Sequence, residues 1–234
     1  MTAPRLCICS LVCDSSIPLL SAWVQFYRPK VDAIYVVTHR ASHTLSWMLR
    51  ALGHEMPLIV TGNIDEPMTP EIQSQWTNYL LGMVKDDAFD WAAPYDDDEF
   101  CIGDLRKAVE RPEECTCCYH GRGYSYYCLS EHEARDPASR MMWRDPDNEK
   151  YAYKKPLVRL ASDYGKMLTG NHASEVSRSW DCMELTMHHF TYRPKMLFTH
   201  LERNETIISL HHAIRLGLVQ DKTIRYALAE GEQI

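Results

Sequence analysis

The alternation of apolar and polar positions divides the first hundred residues into three strand-helix units and a fourth strand. Leu6 to Val12 is an apolar run of strand length; after Asp14-Ser15-Ser16 the apolar residues Ile17, Leu20, Trp23, Val24 and Tyr27 recur at helical spacing. Ser16 is placed to cap that helix, Pro18 is tolerated in its first turn, and Pro29 stops it. Val31 to Val37 is β-branched and aromatic, a second strand, and the polar Thr38-His39-Arg40 leads into a helix carrying Leu45, Met48, Leu49 and Leu52, with Gly53 as its C-terminal cap. Pro57 to Thr61 reads as a third strand. Thr69-Pro70 then opens a helix whose buried face holds Ile72, Trp76, Leu80 and Met83, and a fourth strand runs to Asp96.

This order predicts an α/β fold with a mostly parallel central sheet flanked by helices. In such sheets ligands collect at the carboxyl ends of the strands, where Asp14, Thr38 to Arg40 and Asp96 to Glu99 fall. After Phe100 the pattern becomes α+β. A short helix spans Asp104 to Glu110, and Cys115 to Leu129 has strand character with a bulge or turn at Gly121 and Gly123. Residues 130 to 150 read as a loop of the kind that serves as a lid or acceptor-binding element. Tyr151 to Leu160, Lys166 to Thr169 and Met183 to Met187 read as strands, and Pro194 to Arg203 and Glu205 to Leu216 as closing helices.

Composition narrows the class. With 234 residues, 45% of them hydrophobic, the chain can bury a full core. Its 25 basic against 32 acidic residues leave a net charge of −7, which favours neither nucleic acid nor an anionic membrane, and no apolar stretch approaches the length of a membrane helix. Arg5 and the run after it mimic the start of a signal peptide, yet Asp14 breaks that run and the sequel fits a core strand. Nine cysteines, three of them in the opening strand, argue against a disulfide framework and for a reducing, cytoplasmic compartment. Cys115, Cys117, Cys118, Cys128 and His120 lack the paired knuckles of a zinc site.

The chemistry concentrates in Asp96-Asp97-Asp98-Glu99-Phe100. An apolar, aromatic strand ending in four carboxylates invites a divalent cation, and beyond a strand end the spacing Asp96-x-Asp98 predicts two carboxylates on one side. Three further pieces follow: Lys155-Pro156-Leu157-Val158-Arg159, Thr169-Gly170-Asn171-His172, and His188-His189-Phe190-Thr191-Tyr192-Arg193. In this order they resemble the bacterial family 2 glycosyltransferases of GT-A fold, with their D-x-D-E-F strand end, G-N-H turn and H-F-x-Y-R segment.

The resemblance implies a single GT-A-like domain over 1–234, with residues 1–100 as the nucleotide-sugar half, 101–203 as the acceptor side and 204–234 as C-terminal helices. It also implies transfer of a sugar from a nucleotide-sugar donor to an acceptor hydroxyl, with Mn²⁺ or Mg²⁺ on the donor diphosphate. Asp98 is the first expected metal ligand. Asp96 shares the metal or holds the ribose, and His189, with His172 as second choice, completes the metal shell or donates to a phosphate. Arg193 and Lys155 are expected phosphate neutralisers, and Asp14 joins Asp96, Lys155, His172 and Arg193 in the donor-binding set; the resemblance does not fix the general base among Asp163, Glu175 and Asp181, of which Asp163 is named because it follows the Lys155 to Leu160 strand. Of the two histidines ending the apolar strand, one is expected to point inward. Asp14-Ser15-Ser16 and Thr38-His39-Arg40 differ from the residues usual in that family, and Pro94 predicts an unpaired or bulged strand end. The competing classes are a metal-dependent phosphohydrolase and a sugar nucleotidyltransferase, for which Leu11 to Ser16 lacks a glycine-rich loop, and a zinc-holding binding protein.

Overall fold

The computed structural model describes residues 3–54, 57–110, 117–127, 141, 143–144, 155–160, 165–168, 175, 179–192, 219–221 and 228; for 117–122, 127, 143, 179–181, 183, 191–192 and 219 this covers the backbone alone. The fold is α/β. Strands β1 (Leu6–Cys13), β2 (Ala33–His39), β3 (Leu58–Ile64) and β4 (Trp91–Ala93) form a parallel sheet in the order β3-β2-β1-β4. Helices α1 (Ile17–Tyr27) and α2 (His43–Gly53) pack on one face and α3 (Pro70–Asp86) on the other. Alternation along β1 explains the two cores: Leu6 and Ile8 join Trp23, Tyr27 and Phe100, whereas Cys7 and Cys9 join Tyr35, Leu80, Leu81 and Val84. Both faces are covered, so the strand reads as one unbroken apolar run.

Past β4 the sheet continues with mixed polarity through β5 (Glu99–Ile102), α4 (Leu105–Val109), β6 (Cys117–Tyr127), β7 (Trp143–Arg144), β8 (Pro156–Arg159), β9 (Ser179–Tyr192) and β10 (Val219–Gln220). Strand β8 lies antiparallel between β4 and β6, and β9 pairs parallel with β6 and antiparallel with β5. The register of β6 on β9 slips between His120 and Arg122, which puts the expected irregularity at Gly121. At the end of β5, Gly103 has φ 121°, and a Cβ there would lie 2.5 Å from the Glu184 carbonyl oxygen on β9.

Several expectations need correction. The fourth strand stops at Ala93, before Pro94, so Asp96 to Glu99 form a turn and Glu99 begins a separate strand. Ser16 does not cap α1; its hydroxyl accepts from Cys13 N at 2.9 Å and donates to Asp97. Gly53 is the last residue of α2, and the residue after it, His54, keeps a right-handed φ of −74°, so no glycine cap forms. Thr69 does cap α3, accepting from Ile72 N at 3.2 Å. Met183 to Met187 is the middle of the longer β9. Among the described residues, Met167 alone of the expected strand Lys166 to Thr169 makes a bridge, and Pro156–Arg159 is the strand within Tyr151 to Leu160, whose first four residues lie outside the described ones. The loop expected at 130–150 and the closing helices lie almost wholly outside the described residues, as do the side chains of the cysteine group at 115–128. Cys7, Cys9, Cys13, Cys101 and Cys182 are free thiols. Among the described residues no helix is long and apolar enough to cross a membrane.

Candidate active site at the carboxyl edge of the sheet

Pro94 takes the chain out of β4, and Asp96 to Glu99 close on themselves. Glu99 N donates to the Asp96 carbonyl at 3.1 Å, while the Glu99 carboxylate accepts from Asp96 N at 2.9 Å. Rigid elements hold this turn from two sides. On α1, Trp23 Nε1 and the Tyr27 hydroxyl donate to the Glu99 carbonyl at 3.0 and 2.9 Å; on β9, Phe190 N donates to the Asp98 carbonyl at 2.9 Å.

Because the segment is a turn and not an extended strand, side-chain alternation does not apply, and each carboxylate has its own partners. Asp96 accepts from Gln73 on α3 at 3.0 Å and from Lys155 on β8 at 2.7 Å. Asp97 accepts from Ser16. Asp98 faces His189 on β9, Oδ1 to Nε2 3.2 Å. Glu99 is fully buried, with Oε1 3.3 Å from the Lys155 ammonium.

Burial pushes Glu99 up to about 7, against the pull of Lys155 and His189. Lys155 is also wholly buried. Burial opposes its charge, but Asp96 and Glu99 outweigh that and raise it above the usual lysine value. The same contest is decided the same way at His189, where burial disfavours the imidazolium and Asp98 prevails. On the other face of β9, His188 points inward, bonded through Nδ1 to the Tyr126 hydroxyl at 2.8 Å, and burial lowers it to about 4. The inward histidine is therefore His188, and His189 is the one at the carboxylates.

The structure thus brings Asp96, Asp98, Lys155 and His189 together, and adds Glu99, Asp97, Ser16 and Gln73, none of them named singly as a site residue from sequence. Lys155 is placed differently from the phosphate neutraliser expected: its charge is spent within the protein, on Asp96 and Glu99. Asp14 stands one strand away at the end of β1, where its Oδ1 accepts from Ser42 N at 3.0 Å. His172, Arg193 and Asp163 lie outside the described residues. A cavity of about 640 Å³ opens between α2 and β3, lined by Leu49, Arg50, His54, Leu58 and Val60 among others, and no carboxylate of the turn borders it.

No protein-family model matches the chain, and no curated protein matches it in sequence. Solved structures do. One is Staphylococcus aureus TarS, residues 1–349, at 10% identity and TM-score 0.47, covering 80% of this chain and 60% of that one. The same TarS segment in complex with UDP matches at 13% identity and TM-score 0.38, covering 51% of this chain and 36% of that one. The chain therefore spans less than two thirds of either TarS structure.

The donor set bears on the expected metal. Among the described residues no group of three or more His, Cys, Asp or Glu side chains is arranged to hold an ion, and Asp96 is paired with Lys155. Asp98 and His189 do converge, with side chains 12% and 14% exposed. Two protein ligands suit Mg²⁺ or Mn²⁺ when substrate phosphates and water supply the rest. Charge points the same way: four carboxyls at Asp96 to Glu99, of which burial raises Glu99 to about 7, meet one lysine, and His189 serves a cation as a ligand in its neutral form.

Proposed function

We propose that the chain is a glycosyltransferase that moves a sugar from a nucleotide-sugar donor to an acceptor hydroxyl, with a divalent cation bound by Asp98 and His189 together with the donor diphosphate. One observation carries the reading: the Asp98–His189 pair at 3.2 Å, at the carboxyl edge of a parallel sheet, in a turn whose buried negative charge exceeds its positive. When bound, the cation supplies charge neutralisation for the departing diphosphate.

The remaining roles belong to the chain itself. Lys155 pairs with Asp96 and fixes its direction, so the lone pairs of Asp96 left over from Lys155 and Gln73 accept from donor hydroxyls. Trp23, Tyr27 and Phe190 hold the turn's backbone, which presets the direction of Asp98 before any ligand arrives. The acceptor approaches from the side of β6 and β9, opposite the β1–β2 edge that takes the nucleoside.

The test is a thermal-shift panel of nucleoside diphosphates and nucleotide sugars with and without Mn²⁺. Saturating donor with metal is expected to raise the midpoint by about 5 °C or more, and either component alone by much less. No metal-dependent shift with any nucleotide would overturn the reading. Release of free phosphate from a phosphate ester, with no nucleotide preference, would favour the phosphohydrolase class instead.

A further inference from the structure

Strands β5, β9 and β6 carry one row of side chains past the carboxylate turn. Glu99 pairs with His189, and His189 pairs in turn with Ser125. Residues paired across neighbouring strands, about 4.8 Å apart, project from the same face of a sheet. Their chain neighbours occupy the other face: Tyr124 and Tyr126 lie with ring centroids 5.6 and 5.7 Å from that of His188, and Tyr126 stacks on Phe190 at 4.5 Å. Ser125 and His189 therefore stand side by side on the face that meets Asp98.

Ser125 is 1% exposed, and its hydroxyl is enclosed without a hydrogen bond to any described residue. Buried hydroxyls are nearly always bonded, so one that is not asks what it serves. The row supplies an answer. The Glu99 carboxylate is committed, Oε2 to Asp96 N at 2.9 Å and Oε1 in ionic contact with the Lys155 ammonium at 3.3 Å. His189 turns Nε2 to Asp98 at 3.2 Å, so its buried Nδ1 is the nitrogen that a neighbour in the row can steer. Of the two neighbours, Ser125 is the one with hydrogen-bonding capacity to spare.

We propose that Ser125 is a positioning residue for His189: its hydroxyl accepts the Nδ1 proton and so holds the Nε2 lone pair toward the cation. This rests on the donor reading above. A metal-ligating imidazole is neutral, so the cation displaces the Nε2 proton to solvent and the remaining proton sits on Nδ1, where an acceptor fixes both the tautomer and the direction of the ring. A hydroxyl suits this place better than a carboxylate, because it donates as well as accepts and serves the ring whichever nitrogen carries the proton. Threonine retains that capacity and alanine does not.

The experiment compares the wild-type chain with Ser125→Ala and Ser125→Thr by calorimetric titration of UDP, GDP, CDP and ADP with and without Mn²⁺. Nitrogen NMR of the histidine rings, with Mg²⁺ and the tightest of the four, reads the tautomer, the signal missing from His189→Gln being that of His189. Ser125→Ala is expected to weaken metal-dependent binding about tenfold or more and to leave metal-free binding unchanged. It should melt no lower than wild type, since it removes a buried hydroxyl that bonds to no described residue. The His189 ring should be protonated at Nδ1 in wild type and a mixture of tautomers in Ser125→Ala, and Ser125→Thr should restore both binding and tautomer. Full metal-dependent binding by Ser125→Ala, or its loss with the tautomer unchanged, overturns this inference alone. Metal-dependent binding of no diphosphate by wild type overturns the donor reading and this inference together.

Discussion

The two edges of the parallel sheet are built on different terms. At its amino edge, Asp32 accepts from Leu6 N at 2.7 Å and takes both ends of the Arg106 guanidinium at 2.8 and 2.9 Å, while Arg5 N donates to Asp90 at 2.7 Å and its guanidinium lies 4.1 Å over the Phe89 ring. Each charge there has a partner in partial contact with water: a guanidinium for Asp32, a backbone N–H for Asp90, and a ring and backbone carbonyls for Arg5. At the carboxyl edge four carboxylates share one buried lysine and one histidine, and Arg40, at φ 47°, is held in a conformation that suits glycine. One edge pairs a carboxylate with an exposed guanidinium and the other gathers four carboxyls around two buried cationic groups, and the proposed site rests on that contrast.

The comparison breaks most directly at Lys155. Lys155→Met leaves Asp96 and Glu99 without their cation, and removing one partner of a buried pair is expected to cost about 3–5 kcal/mol in a denaturant titration. Arg106→Ala, at the exposed pair, should cost under about 1 kcal/mol. Adding Glu99→Gln to Lys155→Met should recover part of the loss, since one of the stranded charges is then gone. Similar small costs at both edges would show that the carboxyl edge is no less relaxed than the other.

Asp98→Asn is the next step down. It keeps shape and removes the charge that faces His189, so transfer and metal-dependent nucleotide binding should both fall by about 100-fold, about 3 kcal/mol, while the denaturation midpoint stays nearly constant. Retained metal-dependent binding in this variant would take Asp98 out of the metal site.

Sequence made the first half legible because its signals are local. Apolar periodicity placed three helices and Thr69-Pro70 marked a true cap, whereas β4 ends at Ala93, before Pro94, and not at Asp96 as the pattern predicted. The turn at Asp96 was harder, since the alternation rule presumes an extended chain and the bond between Glu99 N and the Asp96 carbonyl ends that extension. Strand β5 was invisible for another reason: four residues long, it exists by pairing with β9, its register joining Glu99 to His189. Lys155 carried the least signal, because a lysine is ordinarily a surface residue and only its distant partners explain a wholly buried one. Its burial belongs to the junction of β8 with the turn, which no local window contains.

The smallest effect is expected back at the amino edge, and it tests whether charge ties that edge at all. Arg106 holds the Asp32 carboxyl below its ordinary 3.8, helped by the Leu6 N–H and opposed by partial burial. A carboxyl depressed on folding stabilises the folded state above its unfolded pKa, and that contribution disappears as pH falls through the folded value. With the side chain 38% exposed, water screens the pair and the contribution is about 0.5 kcal/mol. Wild type should therefore exceed Asp32→Asn in urea midpoint near neutrality, and the gap should close on the acid side of the ordinary carboxylate range and shrink in high salt. A gap that survives both acid and salt would mean that the hydrogen-bond geometry of Asp32, not its charge, secures the edge, and the contrast with Lys155 would then be one of burial alone.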